Sequence, residues 1–455
     1  MNTTDSATSQ KFIEPARELE VIADADVVVV GGGPGGFGAA ISAARNGAKV
    51  LGLDSFGALG GTWTYGILSA IMNNTSVRGI FTETQREMER RGGWRWWRKN
   101  DPSSGGNFDS EVAKVVLDDM AAKAGVMVFY FALVTHVFKS EDGRRITGVV
   151  IQSKEGRHVV TGKVFIDSSG DGDVSALAGV PYEMGREGDH AMQPMTMIFK
   201  LDNVDTPRGE AYVATDADCR RAWQAAKARG EVTVPRDCLL LAPMPKPGQW
   251  QFNSTRLLGY DGTKLRDVSA ATTEARRQVA EIAAFMRKNI PGFENSVVAE
   301  TAPHIGVRET RRIKCDYTMT GDDIRKTRKH ADVIARGDWW IDIHNPKGEG
   351  LVNNDGSPTS PKEAELKAGP AAGDWYEIPY RSTTAHGLDN VLIASRCIDS
   401  THEAHAAVRA SQQICAIGEG VGTAAAQVVT RKLATVRDVD VRVVQARLRQ
   451  SGALI

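Results

Sequence analysis

The 455-residue chain has no excess charge of either sign: Lys+Arg and Asp+Glu each total 56. No bulk field draws it to nucleic acid or to an anionic membrane, and neither partner is expected. It also lacks any apolar run near the ~20 residues that a membrane span requires. Residues 1–20 are polar, without the apolar core of a signal peptide, and 1–22 are expected to form a disordered lead. Cysteine is sparse. The five, Cys219, Cys238, Cys315, Cys397 and Cys415, are odd in number and scattered, with no Cys-x-x-Cys. This composition points away from an iron–sulfur site and a disulfide framework and towards a reducing cytoplasm. There is no evident internal repeat and no second glycine cradle with a following acid, so a dedicated nicotinamide site is not supported. The chain is nevertheless too long for one ordinary core, which predicts two domains.

What is present begins at residue 25. Ala25-Asp26-Val27-Val28-Val29-Val30 reads as a buried strand, Gly31-Gly32-Gly33-Pro34-Gly35-Gly36 as a turn, and the residues from Pro34 onward as a helix. Gly31 would permit the tight turn, Gly33 the close approach of a pyrophosphate, and Gly36 close helix–strand packing. The helix N-terminus adds unpaired N–H groups and the positive end of a dipole. Glycine is abundant (46 residues), so the motif alone is weak, but its setting strengthens it. A second strand at 49–53 ends at Asp54, 21 positions past Gly33 (54 minus 33), where a carboxylate can accept both ribose hydroxyls.

A glycine-rich turn follows at 57–66, then an arginine- and tryptophan-rich stretch to Arg98 and a loop at 101–106. Helical spacing covers 109–124, and 126–134 reads as a strand. A meander at 134–138, 146–152 and 158–161 precedes a core strand at 164–167. Residues 183–370 change character and read as an inserted α+β domain, with a clear helix at 270–289 and a surface excursion at 342–370. Residues 390–394 and 416–429 return to the first type, as strand and helix. The fold class is α/β: a Rossmann-like dinucleotide domain of parallel sheet, β-meander and helices, built from 23–182 and 371–435, with a substrate or cap domain at 183–370. Residues 436–455 are expected to be a C-terminal extension.

Several motifs together resemble one family. They are Gly31 to Ala40, Asp54, Leu59-Gly60-Gly61, Asp167-Ser168-Ser169-Gly170-Asp171-Gly172-Asp173, Gly306-Val307-Arg308-Glu309-Thr310-Arg311-Arg312 and Ile378-Pro379-Tyr380-Arg381-Ser382. Ile393-Ala394-Ser395-Arg396-Cys397-Ile398, His402-Glu403-Ala404 and the segment from Gly418 to Ala425 continue the series. The chain resembles the bacterial FAD-dependent oxidoreductases related to succinate dehydrogenase/fumarate reductase flavoproteins, in the glutathione-reductase-like superfamily. The resemblance implies FAD as cofactor and a cap placed over the flavin. It also implies that Gly31, Gly33 and Gly36 hold the pyrophosphate, Asp54 the ribose and Val134 the adenine, through its backbone. Asp171 would lie near the pyrophosphate or ribityl chain, Arg396 and Arg409 near the ring, and Ser55, Gly61 and Thr62 beside the cofactor. Ser395 stands where the family usually has glycine, and His405-Ala406 where it has Leu-Gly, which suggests a rebuilt substrate side.

A flavin carries the difficult redox step, leaving orientation, charge and a proton acceptor to the protein. If 401–409 is helical, His402, His405 and Arg409 share one face. An imidazole there would accept a proton as hydride leaves the substrate, and Arg409 would stabilise negative charge. The alternative for either histidine is a purely structural or neutral place. No third ligand accompanies His402 and His405, so no metal is expected. His304, Arg308, Arg311 and Arg312 form a second group, in which Arg308 could bind a carboxylate or the arginines could pair with acids across a domain interface. Tyr65 and Trp63 are candidates for an aromatic wall or for plain packing. Trp94, Trp96 and Trp97 between arginines suit a lid or interface better than a nucleic-acid surface. The leading expectation is a flavin-dependent dehydrogenase or oxidase acting at a C–OH, C–N or C–C bond of a small molecule, with oxygen or an electron carrier as final acceptor and a homo-oligomer allowed. The alternatives are a monooxygenase or halogenase, though Trp-x-Trp-x-Ile-Pro is absent, and a non-catalytic flavoprotein subunit of a complex.

Overall fold

A run of four valines, Val27 to Val30, is fully enclosed because its strand is covered on both faces, as parallel strands are. In a computed structural model that describes residues 11–72, 75–98, 101, 104–348 and 368–455, this run ends strand β1, Val21–Val30. β1 begins inside the expected lead. Residues 11–20 carry no regular structure, and residues 1–10 lie outside those described.

The main sheet orders its strands β3 (Met127–Phe129), β2 (Val50–Leu53), β1, β6 (Gly156–Asp167), β5 (Ile146–Ser153) and β4 (Leu133–Lys139), with β7 (Val391–Ile393) also on β6. β3, β2, β1, β6 and β7 are parallel. Two strands expected at 158–161 and 164–167 are one. The first half of β6 pairs with β5 and its second half with β7, so a single 12-residue strand serves two neighbours on one edge. Conversely, the strand expected at 126–134 is two, separated at Phe131, whose φ of +57° breaks the extended backbone.

Helix α1, Pro34–Arg45, follows the glycine turn, and α2, Ser110–Ala124, starts where Asp109 caps the amides of Glu111 and Val112. The second apolar core has its own antiparallel sheet, in the order Leu241–Pro243, Trp250–Phe252, Phe199–Asp202 and Val297–Thr301. Helix α3, Leu265–Asn289, lays Ala275, Val279, Ile282 and Met286 into this core and starts five residues before the expected point. The second core draws almost entirely on 195–307. Ile313, Met319, Ile334, Ile341 and Tyr376 pack with the first core instead, so the expected cap of 183–370 gives up its last third. The terminal helix Val441–Gln450 also joins the first core, through Val444 and Leu448, and is no separate extension.

Helices α4, His402–Val408, and α5, Ser411–Thr430, come from the chain's return. α5 crosses α1 at glycines: a Cβ on Gly418 would strike the Gly35 carbonyl, and one on Gly422 that of Ala39. Only backbones without side chains approach so closely, and this fixes the N-terminus of α1 against the sheet. A small sheet of Ala70–Ile71, Gly106–Phe108 and Trp94–Trp96 straps the two lobes together. Its Asn107 amide donates to the Pro243 carbonyl (2.9 Å). The loop expected at 101–106 ends in a strand residue, and 102–103 lie outside the described residues.

Candidate functional site

A cavity of about 1100 Å³ runs from the glycine turn, past the ends of β1 and β6, to the second lobe. At the turn, Gly31 has φ +96° and no room for a Cβ beneath the Ser168 carbonyl, and a Cβ on Gly36 would strike the Gly31 carbonyl. Gly33 is the opposite case: nothing lies within 4 Å of where its Cβ would be. It faces the cavity at the start of a helix that no side chain caps. This open approach to uncapped amides fits a diphosphate.

Asp54 accepts the Gly32 N–H on Oδ2 (2.7 Å) and the Phe56 N–H on Oδ1 (2.7 Å). Burial pushes its carboxyl up to about 6, against the pull of these two amides and the Tyr65 hydroxyl. Tyr65 lines the cavity beside Asp54, stacked on Phe56 at 4.2 Å with His304 edge-on to both. Trp63 is buried in the core and gives its indole N–H to Ser411, so it forms no wall. Ser55, Gly61, Thr62 and Val134 all line the cavity. Asp171, at the end of β6, accepts from Arg396 Nη2 (2.6 Å) and from Thr310 Oγ1 (2.5 Å), clamping the two lobes.

Of the three arginines after Gly306, Arg311 pairs with Asp173 (2.8 Å) and Arg312 with buried Glu309 (2.5 Å). Arg308 differs. It is on the cavity wall, donates to the Pro194 carbonyl (2.6 Å) and to Asn253 Oδ1 (3.4 Å), and meets no carboxylate among the described residues. Burial, then Arg409, Arg236 and Arg256, push its pKa well below the ordinary arginine value, against the through-space attraction of Asp342. Arg409 also lines the cavity and donates to the Asp342 carbonyl (2.8 Å) and Oδ2 (3.3 Å). Burial would raise Asp342, but His344, Arg409 and Arg308 outweigh it and hold the carboxyl below its usual value. Burial keeps His344 neutral. Its Nδ1, 3.2 Å from Arg256 Nη2, must accept, which leaves the proton on Nε2 towards Asp342.

His402 and His405 do not line the cavity. His402 Nδ1 is 2.9 Å from Glu309 Oε1, behind the wall, and His405 is fully enclosed with both ring nitrogens unpartnered. The helical face was real, but α4 turns it inward because Ala404, Ala406, Ala407 and Val408 are equally buried. His304 and His344 are the imidazoles on the wall. Sequence reasoning missed Asp342 and His344 by placing them in a surface excursion. The alternation Trp339 in, Trp340 out, Ile341 in, Ile343 in was the available signal of a half-buried extended segment. Residues 349–367 of that excursion lie outside the described residues. Among the described residues no cluster of metal-ligating side chains occurs, and no helix is long and apolar enough to cross a membrane.

The glycine turn, the parallel sheet and the bounded cavity define a dinucleotide-dependent redox protein. The profile of the FAD dependent oxidoreductases matches residues 26–448, and the chain belongs to that family, with FAD as its cofactor. It is 31% identical over 201 residues to a thiamine thiazole synthase of Methanococcus vannielii, a match covering 41% of this chain and 73% of that one. The corresponding enzyme of Methanococcus maripaludis is 33% identical over 167 residues, 34% of this chain and 59% of its own length. Among solved structures, a geranylgeranyl bacteriochlorophyll reductase-like protein from Thermoplasma acidophilum superposes with a TM-score of 0.49 at 11% identity, covering 94% of this chain and 84% of that one.

Proposed function

We propose that this flavoenzyme oxidises a small organic molecule bearing a carboxylate, passing two electrons to FAD and from there to oxygen or an electron carrier. The observation that carries the reading is Arg308. Every other arginine on the cavity wall faces a carboxylate: Arg95 pairs with Glu210, Arg396 with Asp171 and Arg409 with Asp342. Arg308 feels Asp342 only through space and shares it with Arg409, so the two guanidinium groups outnumber the acid, and a substrate carboxylate would supply the second negative charge with two parallel hydrogen bonds.

The turn at Gly31, Gly33 and Gly36 would receive the diphosphate, Asp54 the ribose, and the Ala132 to Val134 segment the adenine. When bound, FAD supplies a two-electron acceptor for a hydride from the substrate carbon. The chain must then orient that carbon and accept a proton. We assign the proton to His304 rather than to His402 or His405: it lies on the wall, and burial holds its pKa below the usual histidine value, so the ring is neutral and able to accept. Phe56 and Tyr65 fix the ring plane. Anaerobic mixing of the holoenzyme with a panel of small carboxylates, their amides and their alcohols tests the reading through loss of oxidised-flavin absorbance. Bleaching by carboxylates and not by their amides is expected; bleaching by the amides alone would refute it. Isotopic oxygen in the product would instead mark a monooxygenase.

A further inference from the structure

The wall that carries Arg308 leads to a second charged group of opposite sign. Arg308 Nη2 donates to Asn253 Oδ1 (3.4 Å), the Asn253 N–H to the Leu240 carbonyl (2.8 Å), and the Leu239 N–H to the Asp218 carbonyl (2.9 Å). Arg308, Asn253, Leu240, Leu241 and Asp218 all line the cavity. Asn253, Leu240 and Leu241 thus connect the two charges along the wall, the leucines supplying its apolar part.

Asp218 is held there at a cost. It has φ +58° and the next residue, buried Cys219, has φ +50°, two successive left-handed residues without glycine. Such backbone persists where the surroundings impose it, commonly at binding sites. Two other acids of this lobe are engaged: Asp216 accepts the amides of Arg221 (2.9 Å) and Ala222 (3.1 Å), and Glu210 holds Arg95 (2.6 Å). Among the described residues the Asp218 carboxylate has no hydrogen-bond or ion-pair partner. Arg220 and Arg236 attract it through space, less strongly than burial disfavours its charge, while Arg236 hydrogen-bonds to the carbonyls of Cys238 and Asn253.

We propose that Asp218 and Arg308 are the two ends of one substrate cradle, which takes amino acids whose ammonium is separated from the carboxylate by a hydrocarbon spacer. The guanidinium receives the carboxylate, Asp218 the ammonium, and Leu240 and Leu241 the methylenes. The Arg308 end rests on the proposed function; the Asp218 end stands on its own geometry.

The test titrates the FAD-loaded full chain with three matched straight-chain series: ω-amino acids, n-alkanoates and n-alkylamines. The readout is perturbation of the visible flavin spectrum, without turnover. The ω-amino acids should bind at least about tenfold tighter than the matched alkanoates, with affinity rising about fourfold per methylene until the spacer fits. Asp218→Asn keeps the shape and tolerates the left-handed backbone, and should erase the amine preference while leaving alkanoate binding within about twofold. Asp218→Gly, which relieves the backbone, must behave the same way if the Asn variant does not fold. Alkylamines should perturb the parent and neither variant. Equal binding of alkanoates and ω-amino acids overturns the proposal, as does a preference that survives both substitutions or silence from every amine. Amine binding that needs Asp218 while no carboxylate binds would retain the Asp218 site and refute the Arg308 reading.

Discussion

The glycine turn and the cap wall solve the problem of binding charge in opposite ways. At the turn the donors are backbone amides, the residues that matter lie within six positions, and no side chain intervenes: Gly36 has no space for one, and Gly33 leaves the cavity open before it. On the wall the donors are guanidinium groups from Arg308 and Arg409, a hundred residues apart, held by Pro194, Asn253 and Asp342. The turn is rigid because its backbone permits no alternative. The wall is poised because its charges do not balance. A cofactor shared by many enzymes suits the first device, and a particular substrate the second.

The contrast breaks most sharply at Gly36. Gly36→Val should lose FAD and the folded state together, since the Gly31 carbonyl cannot retreat from β1. Gly33→Glu, with open space before it, should keep the unfolding free energy of the apoprotein to within about 0.5 kcal/mol while losing FAD by placing negative charge at the cradle. Retained flavin in that variant would disprove the cradle. Arg312→Leu should cost about 3 kcal/mol because it takes the guanidinium from buried Glu309 and leaves it only His402 and the Gln193 amide, whereas Arg308→Leu on the wall should leave the apoprotein at least as stable as the parent. Arg308→Leu should also raise KM for a reactive carboxylate about a hundredfold. Chemical denaturation and steady-state kinetics separate the two.

Asp54 sharpens the comparison through pH. Its folded pKa, about 6, exceeds the ordinary 3.8, so the folded apoprotein prefers the protonated carboxyl. That preference stabilises fully below about pH 4 and disappears as pH rises through 6, a fall of about 3 kcal/mol. Asp173 is raised to about 6 by burial and by the neighbouring Asp171 and Asp167, but it is half exposed and paired with Arg311 and adds less, so Asp54→Asn should visibly flatten the fall of melting temperature between pH 4 and 6. The smallest effect is reserved for His402→Ala. It should alter the rate of flavin reduction by about twofold at most, whereas His304→Ala should slow it about a hundredfold. Stopped-flow reduction of the two variants decides between them.

The legible parts of the molecule were those set by near neighbours. The valine run, the glycine turn, Asp54 at the next strand's end and the helical spacing over 109–124 were each visible in short stretches, and the structure places all of them in one framework. The helix carrying His402 and His405 was also legible. What failed was the inference that its polar face met substrate, because the same helix buries four apolar residues and α4 lies under the wall. Asp342 and His344 escaped notice for a related reason: their segment has the composition of a loop, and only its packing against the first core reveals the alternation.

Local order along the chain thus determined that this protein has a parallel α/β core with a phosphate turn, since strand, turn and helix each follow from short-range sterics and hydrophobic pattern. Only the tertiary structure decided which charges face the cavity. Arg308 and Arg312 are four residues apart with the same side chain, yet Arg312 pairs with Glu309 while Arg308 donates to the Pro194 carbonyl on the cavity wall. Charge balance in a buried site is a sum over groups brought together from distant parts of the chain, and no stretch of sequence contains that sum.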